Sequence, residues 1–275
     1  MFNIVRIKGG LGNQMFIYAF LLSIRKKNKA IYLLNIDDSV FVHSQLEIFR
    51  IFNCKGKWRY RALGILHNIK PSFWEKYQYI FEQKELSFTP SILFNKNKKA
   101  VYDGYWQSEK YFKDIESIVR KRFCFKKQLL NQNNIFLANK TSKENSVSIH
   151  IRRGDYLNYN LGVCEMDYYQ QCISYITEQI NNPKFYIFSD DIEWCKKNFP
   201  NDNFYIVDWN NGKDSWQDMY LMTQCKHNII ANSSFSWWGA WLNNNPNKIV
   251  IAPSVWFKDR DNNSCNIVPD EWIKI

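Results

Sequence analysis

The sequence predicts an α/β protein built on parallel sheets, and three observations predict it. Short apolar runs of strand length recur along the 275 residues, with stretches of helical period between them. The first run ends in a glycine-rich turn that feeds a helix, Gly9-Gly10-Leu11-Gly12-Asn13-Gln14. A polar stretch rich in Asn, Lys and Gln, residues 126–145, separates two such alternations and reads as a linker. The expected division is therefore an N-terminal α/β domain over 1–145 and a second, C-terminal α/β domain over 146–275.

In the first half, residues 2–7 read as a strand and residues 12–27 as a helix. Its apolar stripe is Met15, Phe16, Ala19, Phe20 and Leu22. A second strand covers 30–34. Residues 40–95 read as helices and loops rich in aromatics. A strand over 100–103 leads into Gly104-Tyr105-Trp106-Gln107 and a helix near 109–124. In the second half, strands at 146–151, 184–188, 204–207, 228–231 and 248–252 alternate with helices near 166–181, 191–198, 214–225 and 235–244. That rhythm requires crossovers and hence a parallel sheet covered on both faces.

Three segments of the second half fall just past strand ends, where open α/β sheets bind ligands. They are His150-Ile151-Arg152-Arg153-Gly154-Asp155-Tyr156, Phe188-Ser189-Asp190-Asp191, and Asn232-Ser233-Ser234-Phe235-Ser236-Trp237-Trp238-Gly239-Ala240-Trp241. Adjacent arginines can fork onto phosphate oxygens, or form surface ion pairs. The Asn-Ser-Ser opening of a helix can receive an anion, or simply cap free N–H groups. Asp190 and Asp191 can cap the next helix, or accept two hydrogen bonds from a guanine edge. Asp155 can act as a general base, or orient the arginines.

The loop Gly10-Leu11-Gly12-Asn13-Gln14-Met15 has Met15 where a dinucleotide fingerprint has its third glycine. Asp37 stands at the distance of a ribose-binding acid, so an NAD-dependent oxidoreductase is the alternative reading. No GK[ST] is present, which excludes a P-loop.

Together these segments, with Gly9 to Phe16 and Gly104-Tyr105-Trp106-Gln107-Ser108, resemble the ordered motifs of the alpha-1,2-fucosyltransferases, glycosyltransferase family 11. The resemblance runs from residue 2 to about residue 252. It implies a GT-B-like fold of two Rossmann-like domains, and inverting transfer of L-fucose from GDP-fucose to a galactoside, with an alpha-1,2 linkage in a surface glycan. It places Arg152 on the donor diphosphate, with His150, Arg153, Asn232, Ser233, Ser234 and Phe235 lining the donor site and Asp190 or Asp191 reading guanine. Gly10, Asn13 and Gln14 would approach the donor from the first domain, and Tyr105, Trp106 and Gln107 the acceptor. No cofactor and no metal is expected. The two adjacent aspartates are not a D-x-D arrangement, and Arg152 and Arg153 can supply the positive charge.

Composition bounds the rest. A hydrophobic content of 45% fits a globular chain. The net charge of +11 is uneven: residues 1–145 hold 26 Lys/Arg against 11 Asp/Glu, whereas 146–275 hold 11 against 15. An anionic partner is one reading of the basic half, either a membrane face presenting a lipid-linked acceptor or, alternatively, nucleic acid. No nucleic-acid module is recognisable, and the charge avoids the half bearing the motifs, so no nucleic-acid partner is expected. Seven scattered cysteines without a CxxC pair fit reduced thiols. The N-terminus does not read as a signal peptide, and no apolar run reaches the roughly 18 residues of a membrane span. The expected location is cytoplasmic, possible peripheral membrane contact included.

Overall fold

The computed structural model describes residues 3–28, 32–36, 46–54, 75–82, 88–97, 99–158, 162–257 and 266–275. The chain forms two compact units, Met1–Lys126 and Lys127–Ile275.

The first unit holds four parallel strands: β1 (Asn3–Ile7), β2 (Tyr32–Ile36), β3 (Gln78–Phe81) and β4 (Ala100–Asp103), in the order β2-β1-β4-β3. Helix α1 (Leu11–Asn28) follows β1, and a short α2 spans Glu47–Ile51. Met15, Phe16, Ala19 and Phe20 are buried as the helical period requires, but so are Ile17, Tyr18, Leu21 and Ile24, while Leu22 is only half-buried. The helix is thus covered on most sides, by the sheet and by an aromatic cluster in which Phe20 stacks on Trp106 at 4.3 Å. The helix expected near 109–124 begins as two 3-10 turns, Glu109–Tyr111 and Lys113–Ile115, and becomes α3 only over Glu116–Arg122. Strand β3 and a 3-10 turn, Pro90–Phe94, lie within the stretch read as helices and loops. Asp37 lies outside the described residues.

The polar stretch 126–145 is not a linker. It contains helix α4 (Gln132–Thr141), capped by Asn131, whose side chain accepts from the Asn134 amide at 2.8 Å. Asn134 is fully buried. Its Nδ2 donates to Asn210 Oδ1 at 2.7 Å and Gln217 Oε1 at 2.8 Å, and its Oδ1 accepts from Trp209 Nε1 at 2.8 Å. The helix packs through a satisfied polar network, so an apolar pattern could not reveal it. For this reason the units divide at 126/127 and not at 145/146.

The second unit continues with β5 (Ser146–Ile151), α5 (Gly154–Asn158), α6 (Met166–Gln179), β6 (Lys184–Ser189), α7 (Ile192–Asn198), β7 (Phe204–Val207), α8 (Trp216–Gln224), β8 (His227–Ile229), α9 (Ser234–Leu242), β9 (Val250–Ala252) and β10 (Ile273–Lys274). The strands are parallel, in the order β10-β9-β8-β5-β6-β7. Every residue of β5 is buried, as a central parallel strand requires. The register aligns one isoleucine per strand, Ile273, Ile251, Ile229, Ile149, Ile187 and Ile206, in a row across the sheet. The four central ones are fully buried and contribute about 1.5–3 kcal/mol each by transfer from water. From β5 the chain winds outward through β6 and β7, then returns to the other side of β5 for β8 and β9. The switch point between β5 and β8 is where such sheets leave a ligand crevice.

Candidate functional site

Three segments converge at the C-terminal ends of β5, β6 and β8. His150, on β5, lies 5.6 Å ring to ring from Phe235 in the first turn of α9. Arg152, just past β5, pairs through Nη2 with Asp155 Oδ1 at 2.7 Å and through Nη1 with Asp190 Oδ2 at 3.1 Å. Its guanidinium lies 5.5 Å from the Tyr156 ring centroid. The Tyr156 hydroxyl donates to the Asn232 carbonyl at 3.2 Å, which ties the arginine segment to the start of α9. The convergence expected from topology is therefore carried by direct contacts.

Arg153 is braced separately. Its guanidinium lies 4.5 Å over the Trp194 ring, its Nε meets Asp191 Oδ2 at 3.2 Å, and its backbone N–H donates to Asp190 Oδ1 at 2.9 Å. Asp191 also caps α7 by accepting from the Trp194 amide at 3.1 Å. Gly154 makes the close approach possible: a Cβ there would lie 2.8 Å from Asp190 Oδ2. Arg152 remains one-third exposed, whereas the Arg153 side chain is 15% exposed. Arg152 is thus the guanidinium that a ligand can reach more readily.

Burial drives the electrostatics of His150. Desolvation pushes its pKa down to about 3, with Arg152 adding to the drop and Asp190 opposing it. The ring is neutral at physiological pH, and its buried Nδ1 has no hydrogen-bond partner among the described residues. Around it, two guanidiniums face three carboxylates, Asp155, Asp190 and Asp191. An incoming anion must therefore displace a carboxylate from Arg152, or gain help from the N–H groups that open α9.

At that helix start, Ser233 is the cap, accepting from the Phe235 amide at 3.3 Å, and Ser234 and Phe235 form the first turn. The Asn232 side chain is engaged in holding loops: its Nδ2 donates to the carbonyls of Gly162 and Trp256, both at 3.0 Å. Beside this point lies a cavity of about 520 Å³ whose lining includes Tyr156, Cys164, Tyr168, Asn232, Pro253 and Trp256. Trp237, Trp238 and Trp241 are buried and pack on one another, so they are core.

The candidates in the first unit sort differently. Gly9 adopts φ +71° and lets Asn13 pack against the turn. A Cβ on Gly10 would meet open space. Asn13 Oδ1 accepts from Gln107 Nε2 at 2.7 Å, bringing two candidates together. Gln14 is fully buried, bonded to the Gly9 carbonyl at 2.9 Å and the Glu47 amide at 3.0 Å, so it builds the loop. Trp106 is also fully buried, with φ +56° and its ring on Phe20. It therefore does not offer a surface to an acceptor, contrary to the expectation from sequence. Tyr105 stays partly exposed, with Lys8 over its ring at 4.9 Å.

Two residues were missed. Glu82 follows β3 and accepts from the Tyr105 amide at 2.6 Å, which fixes that loop. Desolvation raises its pKa. Finding it required recognising β3. Asp218, on α8, is buried and accepts from Asn210 Nδ2 at 2.7 Å. Desolvation raises its pKa to about 8. An acid within Trp216-Gln217-Asp218-Met219 was the available signal.

Two parallel α/β units, with a braced arginine at the strand switch point of the second, define a glycosyltransferase of the GT-B fold. The sequence pattern of glycosyl transferase family 11 matches residues 1–275, and the chain belongs to that family. An alpha-1,2-colitosyltransferase of Escherichia coli is 35% identical, with 99% of this chain and 98% of that protein covered. The O-antigen biosynthesis glycosyltransferase WbnK of Escherichia coli is also 35% identical, over 98% and 99%. The galactoside 2-alpha-L-fucosyltransferase Sec1 of Mus musculus is 26% identical over 86% of this chain and 63% of that protein. Among solved structures, fucosyltransferase NodZ from Bradyrhizobium superposes with a TM-score of 0.53 at 12% identity, over 86% of this chain and 91% of that one. The family replaces the oxidoreductase and nucleic-acid-binder readings. Among the described residues, no helix is long and apolar enough to cross a membrane.

Proposed function

We propose that the chain is an inverting alpha-1,2-fucosyltransferase, moving L-fucose from GDP-β-L-fucose to the 2-hydroxyl of a galactoside. The observation that carries this reading is Arg152, held by Asp155 and Asp190 at the sheet's switch point and still open to a ligand. In the displacement, the acceptor hydroxyl attacks the fucose anomeric carbon while the bond to the β-phosphate breaks. Negative charge grows on the leaving GDP, where Arg152 and the N–H groups opening α9 can stabilise it. One such preorganised donor is worth about 10²–10³ in rate. This supplies the charge that a metal would otherwise bring, so chelators should leave the activity intact.

His150 Nδ1, buried and unpartnered among the described residues, suits a hydrogen bond to the donor. Asp190 or Asp191 would read guanine. Tyr105 and Gln107 remain acceptor candidates. Asp155, released from Arg152 when the diphosphate binds, is the candidate base. A second reading has support: the donor sugar is colitose, as named for the Escherichia coli relative. The test is transfer from GDP-fucose and from GDP-colitose to a panel of galactosides, with the product linkage read by NMR. Transfer from GDP-fucose with a new 1,2 linkage supports the first reading; transfer from GDP-colitose alone replaces it with the second; turnover of neither overturns both.

A further inference from the structure

We propose that the C-terminal end of α1 and the turn packed on it form a docking face for an anionic lipid bilayer. The charge is partitioned by unit: residues 1–126 carry 23 Lys/Arg against 10 Asp/Glu, whereas residues 127–275 carry 14 against 16. At the end of α1 this excess meets exposed apolar groups. Arg25, Lys26 and Lys27 form the last turn, and Asn28 Nδ2 donates to the Asn95 carbonyl at 2.9 Å. That bond sets the 3-10 turn Pro90–Phe94 beside the basic residues. Leu93 is buried and anchors the turn, while Phe94 projects outward at 62% exposure, with the Lys27 ammonium 5.3 Å from its ring centroid.

On the other side of Lys27 stands Asp114, at 2.7 Å. One turn further, Ile118 is exposed on α3, with Lys121 three residues on and on the same face. Lys96, just past the turn, is exposed as well. Among the described residues Arg25, Lys26, Lys96 and Lys121 make no ion pair, whereas the acid of this patch, Asp114, is engaged by Lys27.

Chemistry selects the occupant. Cations surrounding an outward aromatic and an outward aliphatic side chain match an interface with an anionic headgroup layer above acyl chains. The ammonium and guanidinium groups meet lipid phosphates, and Phe94 and Ile118 enter the headgroup–acyl boundary. A duplex offers phosphates to the same cations but nothing to an exposed isoleucine. Such docking would hold the enzyme where a membrane-bound acceptor is presented, and it does not depend on which sugar is transferred.

The test is co-sedimentation of the full chain with vesicles of phosphatidylcholine alone or with about one-third phosphatidylserine, at low and high salt. Binding is expected to the anionic vesicles only, and to fall with salt. Reversing two charges, in Arg25→Glu with Lys26→Glu, should weaken it at least ~10-fold. Phe94→Ser should weaken it while leaving the salt dependence in place. Both variants should keep the wild-type melting temperature and transfer to a soluble acceptor at the wild-type rate. Equal binding to neutral vesicles, no binding to anionic ones, tighter binding to duplex RNA, or undiminished binding by the charge-reversed variant overturns the proposal.

Discussion

Arg152 sits between two carboxylates, and this makes the roles of its partners separable. If Asp155 is the base, Asp155→Asn frees Arg152 for phosphate and removes a like charge, but leaves nothing there to take the acceptor's proton. GDP should then bind at least as tightly as in the wild type while transfer falls, measured by calorimetry and initial rates. Arg152→Ala should lose both, with transfer reduced by about 10²–10³, and keep its fold by circular dichroism. Asp218 gives a prediction on stability. Its folded pKa, about 8, lies above the ordinary carboxylate range. The native state therefore holds a proton that the unfolded chain has released, and this contribution falls as pH rises from about 4 to about 8. His150 works the other way, because its folded pKa of about 3 is depressed below its ordinary 6.5. Its contribution is present above pH 6.5 and lost as pH falls toward 3. The two oppose each other at acid pH, and the Asp218 slope extends above the His150 window, from 6.5 to 8. Over that interval the melting temperature should fall in the wild type and stay flatter in Asp218→Asn, whose amide oxygen still accepts from Asn210.

Among the elements, α7 has a doubly used start. Asp191 caps it and also meets Arg153. Asp191→Ala should cost about 1 kcal/mol from the cap, whereas Asp191→Asn keeps a capping oxygen and should cost less. Thermal or denaturant unfolding of the two variants compares these costs. The strands at 100–103, 146–151 and 204–207 were legible from their β-branched and aromatic residues: Val147, Ile149 and Ile151 alternate along the fully buried β5, and Phe204-Tyr205-Ile206-Val207 is an unbroken apolar run although β7 is an edge strand with Tyr205 exposed. Strand β3 was not, because three of its four residues are exposed and it lies at the sheet edge. Helix α4 was missed because its buried face includes Asn134, which satisfies its polar groups through Asn210, Gln217 and Trp209.

For the whole molecule, α4 belongs to the second unit. A fragment of residues 127–275 should therefore unfold cooperatively, while 146–275, lacking α4, should melt markedly lower or fail to fold. It would leave the side chains of Asn210 and Gln217 without Asn134 and expose the face of α8 that α4 covers. Calorimetry of the two fragments decides it.

By itself the sequence determined the fold class, the parallel order of strand and helix, the family and the motifs at the strand ends. These follow from local periodicity and from short strings of residues, which are written along the chain. Tertiary structure decided what each motif residue is free to do. Gln14, Trp106 and Asn232 carry polar or aromatic groups that look available in a string, yet all three are engaged in building loops or core. Glu82 and Asp218 belong to no motif and gain their character from burial. Burial and the identity of a partner come from contacts distant in sequence, and no local pattern encodes them.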